Sequence, residues 1–142
     1  MAATAVPGFR ASGMNKTGTQ PGPNAANSWV QVINWTADTT NYPGSTVDAA
    51  TNALLSQGAT AAATVTANVA WTAGAFANSI SARLKKNGTV IATGSAANPA
   101  TVSTSVTVAT GDKITLEVSD SQSLASLSPA TINISGTYIR IT

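Results

Sequence analysis

The residue types that most often do chemistry are scarce in this chain. Its 142 residues include no His and no Cys, which removes the usual general base, the thiol nucleophile and the commonest metal ligand. Five carboxylates, Asp38, Asp48, Asp112, Glu117 and Asp120, are scattered along the sequence. Glycosidase chemistry needs two of them to converge, whereas Asp112 follows Gly111 as a turn former and Glu117 alternates outward in a strand pattern. The expectation is a non-enzyme without cofactor or metal. A Ca2+ site built from Asp38, Asp112 or Asp120 is the one oxygen-only alternative, with turn formation the simpler role for each. Trp29, Trp35, Trp71, Tyr42 and Phe76 could stack on sugars. Most of them fall on inward phases, which favours packing, and Tyr42 in Asn41-Tyr-Pro-Gly44 is the ring expected to be exposed.

The elements that must position these residues read as strands. Thr64 to Trp71 alternates with Val65, Ala67, Val69 and Trp71 inward; Ile80, Ala82 and Leu84 repeat the spacing, with Ser81, Arg83 and Lys85 outward. Asn87-Gly88 then predicts a tight hairpin, because a type I′ turn needs positive φ at both central positions. Val102, Val106 and Val108 form a further strand, Gly111-Asp112 turns it, and Ile114, Leu116 and Val118 face in. Two stretches, Trp29 to Trp35 and Thr131 to Thr142, are apolar on both faces, which predicts central strands or an interface. Segment 46–57 allows a short helix and is left open.

Residues 1–27 carry three prolines and four glycines, with Val6, Phe9 and Met14 as the sizeable apolar groups. This predicts an extended segment before a sandwich domain over 28–142, either a disordered tail or an arm with Phe9, Arg10, Met14 and Lys16 gripping a neighbouring surface.

Composition narrows the partners. Charged residues are 8% of the chain, against about 25% in an ordinary soluble domain. The net charge of +2 comes without a basic stripe, and Lys85 and Lys86 point to opposite faces of one strand, so no nucleic acid is expected. No apolar run reaches the roughly 20 residues of a membrane-spanning helix, and Met1 to Gly8 has no signal-peptide pattern, so synthesis in a cytoplasm and no membrane are expected. Asn15, Asn34, Asn87 and Asn133 match the glycosylation pattern by composition and are read as unmodified. Alanine supplies 27 of the apolar residues, so the core is thin, and self-association is one way to gain burial.

The serial order of Asn41-Tyr-Pro-Gly44, Ala63 to Trp71, Ile80 to Gly88, Gly111 to Val118 and the closing Ile134-Ser-Gly-Thr-Tyr138 resembles the C1q/TNF-like jelly-roll family, in the form associated with bacteriophage virions. Ile134 stands where that family usually has Phe before Ser-Gly, and Ala fills several aromatic core positions. The resemblance implies an all-β, ten-strand jelly-roll sandwich forming a threefold homotrimer, with the first and last strands near the axis and Trp29, Ile33, Trp35, Tyr138, Ile139 and Ile141 in the interface. It further implies a virion structural protein, specifically a decoration protein on the outer surface of a capsid shell. The alternative is a receptor- or glycan-binding head of a tail protein.

Overall fold

The computed structural model describes residues 8–142, and every strand pairing in it is antiparallel. In chain order the first strands are β1 (Ser12–Lys16), β2 (Gln20–Pro21), β3 (Val30–Gln31), β4 (Trp35–Ala37), β5 (Val47–Asp48) and β6 (Ala53–Leu55). The long strands follow: β7 (Thr60–Val69), the short β8 (Trp71–Thr72), β9 (Ile80–Lys86), β10 (Thr89–Thr93), β11 (Ala100–Val108) and β12 (Lys113–Asp120). The chain closes with β13 (Thr131–Ile132) and β14 (Tyr138–Ile141). One sheet runs β11-β7-β14-β1-β4 and faces a second, β10-β9-β12-β6-β5, in which β3 also pairs with β12; β2-β13-β8 form a small third sheet.

The alternation expected from sequence holds where strands are long. Val65, Ala67, Val69, Ile80, Ala82, Leu84, Ile114, Leu116 and Val118 are all buried in one core, with Met14, Leu54, Ile139 and Ile141. Asn87 (φ 50°) and Gly88 (φ 83°) make the hairpin between β9 and β10. Val102 and Val108 reach the core from the same phase of β11, and Val106, beside a register shift, is half-buried.

Both stretches with two apolar faces have a different cause from the one expected. Neither is a single central strand. Val30-Gln31 pairs with β12 in the second sheet, and Trp35 to Ala37 pairs with β1 in the first; the crossing is made at Asn34, which takes φ 64°. Likewise β13 belongs to the small sheet and β14 lies between β1 and β7, with Gly136 (φ 86°) between them. A chain that changes sheets reverses its inward phase, so apolar side chains occur on both registers. Segment 46–57 is a β5-β6 hairpin with Asn52 at φ 53°, and is not helical.

The described part of the expected arm, residues 8–27, is corrected more sharply. Residues 12–16 are β1, held between β14 and β4, and Met14 and Lys16 are 0% and 2% exposed. Glycine at 13 permits this, because a Cβ there would meet the Tyr42 ring at 2.5 Å. The sandwich therefore begins well before residue 28. Residues 1–7 of that expectation lie outside the described residues.

Candidate interaction surfaces

Three surfaces remain once the core is closed. The first is the outer face of the five-stranded sheet, where β7 and β11 present Thr64, Thr66, Asn68, Thr101, Ser103 and Ser105. Toward its other side sits Arg140, outward because Ile139 and Ile141 face in. Its guanidinium lies 4.2 Å from the Tyr138 ring centre and 5.2 Å from that of Tyr42. It donates to the Met14 and Ile139 carbonyls (both 3.1 Å) and to Asn15 Oδ1 (3.0 Å), and stands 3.6 Å from Asp38 Oδ2. Asp38 is 6% exposed. Hydrogen bonds from Asn41, first its side chain, and the Arg140 charge hold the Asp38 carboxyl below the usual carboxylate range. Arg140 is thus a satisfied, ring-stacked cation in an otherwise neutral face.

A second surface is the outer face of β9 and β12. Glu117 accepts from Arg83 (2.7 Å) and Lys85 (3.2 Å), and the Arg83 guanidinium covers Trp29 at 4.2 Å. An open groove of about 530 Å³ lies beside them, lined by Gln31, Lys85, Asn87, Lys113 and Glu117 among others. Its polar groups are engaged internally: Gln31 donates to Thr51 O, Asn87 to Asp112, and Lys113 pairs with Asp48 at 3.0 Å. Thr51 and Lys113 hold the Asp48 carboxyl low.

The third surface is one end of the sandwich, formed by the loops at 70–79, 94–99 and 121–137. Asp120, fully buried at the end of β12, organises it. One carboxylate oxygen accepts from Ser79 N and Gln122 N (both 2.9 Å), and the other from Asn78 Nδ2 (2.7 Å). Ala75 N donates to Ser128 Oγ and Gln122 Nε2 to Ala77 O, which ties the two longest loops together.

Of the six residues expected at a trimer interface, Ile139 and Ile141 are fully buried inside the protomer, so they are unavailable to a partner. Trp29 is half-buried on the second sheet and Tyr138 on the first, so the two lie on different faces of the protomer. Ile33 is 38% exposed, and Trp35 is half-buried with its indole N–H bonded to Val32 O. Of the four expected anchors, Met14 is in the core, Lys16 is buried with Nζ on the Ile33 carbonyl (2.6 Å), and Phe9 packs partly against the core. Arg10 alone is exposed, bonded to Pro43 O. Tyr42 is half-buried beside Arg140, and Phe76 is the more exposed ring. Asp38, Asp112 and Asp120 do not meet; among the described residues no three metal-ligating side chains gather. Sequence reasoning missed the Arg140 cluster; for Asp120 it expected a turn former, which the bond from Gln122 N bears out, but not the further bonds from Asn78 and Ser79. The Ile139-Arg-Ile141 alternation signals the first; the inward phase of Ile114, Leu116 and Val118, continued to Asp120, signals the burial of the second but not its partners.

The architecture has a solved counterpart. Eiger TNF from S. frugiperda superposes with a TM-score of 0.56 at 11% identity, covering 95% of this chain and 92% of that one. The fold is a TNF-like jelly roll. No protein-family model and no curated protein sequence matches the chain. The jelly roll's shared feature is therefore its chain path, carried by different residues.

Proposed function

We propose that the chain is a non-enzymatic structural protein: a homotrimer that decorates the outer surface of a bacteriophage capsid shell. What carries the trimer reading is the outer face of the five-stranded sheet. It is broad, neutral and rich in Thr and Ser, and its one cation is already stacked and hydrogen-bonded within the protomer. Copies of such a face can converge around a threefold axis, and pack against a neighbour's different surface away from it, without stranding a charge. The virion reading rests on the order of sequence motifs that resembles the phage form of the family; the TNF-like fold over nearly the whole chain supports its jelly-roll, trimer-forming part. With Met14 and Lys16 built into the protomer, the grip on a shell falls to other surfaces. The glycan-binding alternative loses its aromatic platform, since Trp71 is buried, Trp29 lies under Arg83 and Tyr42 is half-buried beside Arg140.

Light scattering on the purified chain tests the first half. The expected mass is three times 14.1 kDa, reduced to a monomer by Thr66→Arg on the neutral face. A wild type that stays monomeric at all concentrations sinks the trimer. For the second half, the chain should co-sediment with intact particles and be reached there by antibody; recovery only in the particle-free fraction sinks decoration.

A further inference from the structure

The loop end of the sandwich differs from the rest of the surface in charge as well as in hydropathy. The seven Lys/Arg and five Asp/Glu of the chain all lie outside segments 17–29, 70–79, 94–99 and 121–137. Asp120 and Lys16, the carboxylate and the ammonium that reach this end among the described residues, are both buried. Four of the six exposed large apolar residues are here: Phe76 (37% exposed), Leu124 (40%), Leu127 (72%) and Ile134 (48%). The opposite end carries Arg10, Lys86, Asp112 and Lys113 around its turns.

We propose that this uncharged end is a contact between two copies of the chain, joining them loop end to loop end. In a two-fold contact each residue near the axis meets its own counterpart, so any exposed charge there would face a like charge. An end with apolar side chains and no exposed charge is compatible with itself. It is also preorganised, since the buried Asp120 fixes both loops before contact and little ordering is left to do. One such end is small against the roughly 800 Å² per partner of a standard stable interface. If the chain trimerises through the sheet face as proposed above, several ends act together and the small area suffices; that multiplicity rests on the trimer reading, whereas the end-to-end contact does not.

Sedimentation over a range of concentrations tests it, using wild type, Leu124→Asp/Leu127→Asp and Thr66→Arg. Both leucines are exposed, so the double variant should keep the wild-type circular dichroism and melting curve. Wild type should show a species of twice the basic unit, insensitive to salt, and the double variant should weaken that association at least about tenfold. Thr66→Arg should change the basic unit from trimer to monomer and weaken the doubling through lost multiplicity, whereas the double leucine variant should keep the trimer and lose its doubling, so the two contacts fail separately. Absence of any doubled species, its persistence in the folded double variant, or its dissolution by salt overturns the proposal. So does flotation of undoubled wild type, but not the variant, with phosphatidylcholine vesicles, which would make the end a lipid contact.

Discussion

The charged end and the uncharged end of the sandwich solve the same problem, reversing strands, by opposite means. At the charged end the turns at Asn87-Gly88 and Gly111-Asp112 are short and stand in water. Asn87 and Gly88 supply positive φ, and a half-exposed Asp112 accepts from Ala109 N (2.8 Å) and Asn87 Nδ2 (3.0 Å). At the uncharged end the loops are long, and one fully buried carboxylate, Asp120, takes the place of several exposed turn contacts. A short turn is stabilised locally and can be hydrated. A long loop that displays leucines needs an internal hub, or it would collapse its own apolar groups inward.

The largest test of that contrast replaces each carboxylate. Asp120→Ala strands the Ser79 and Gln122 amides and the Asn78 side chain in a dry site, and should cost about 3 kcal/mol or more in urea denaturation. Asp112→Ala, with water available to its partners, should cost about 1 kcal/mol. Equal losses would break the distinction. The Ala109 amide and Asn87 also hold the Asp112 carboxyl below the usual range. Its contribution is therefore complete above the unfolded carboxylate value of about 3.9 and disappears as pH falls through the lower folded value. Asp112→Asn should shallow the acid limb of the stability curve.

The glycines of the two ends sharpen the point at intermediate size. Gly74 is needed for space: a Cβ there would collide with Ser128 Oγ and lie 3.0 Å from the Pro129 carbonyl oxygen. Gly88 is needed for its φ of 83°, with open space around it. Gly74→Ala should cost about 2–3 kcal/mol because main-chain atoms must move, and Gly88→Ala about 1 kcal/mol of backbone strain. Thermal melts of the pair rank the two, and the reverse order would show that the loop end yields more easily than its hydrogen bonds imply.

The charged end and the long strands were legible in the sequence, because their signals are local. Asn87-Gly88 specifies its turn within two residues, and Val65, Ala67 and Val69 reveal their face by alternation. What escaped depends on partners far along the chain. β1 is made a strand by Ile139 and Ala37 beside Met14, more than twenty residues away on either side of the pairing, while its own Gly and polar content resembles a linker. Two residues of the interface expectation fall away for a related reason: Ile139 and Ile141 are apolar because they line the protomer core, and an apolar residue in a sequence does not say which side of a sheet will cover it. Asp120 continues the inward phase of Ile114, Leu116 and Val118, but its role as a hub arises only when Asn78 and Ser79 are brought to it.

Lys16 gives the smallest effect and the finest test of the uncharged end. Its strand runs into that end, with Lys16 N donating to Thr137 O, yet its ammonium is folded away onto the Ile33 and Thr17 carbonyls. Burial pulls its pKa below the ordinary 10.5. Between the folded value and 10.5 the unfolded chain keeps a proton that the folded chain has released, so stability should rise with pH across that window. Below the folded value the full desolvation cost remains. Lys16→Met removes that charge and should flatten the alkaline arm, measured by urea denaturation from about pH 8 to pH 10. A slope unchanged by the substitution would mean that the ammonium is hydrated in the folded chain, and that the end which exposes Leu127 is less dry at its margin than Asp120 requires at its centre.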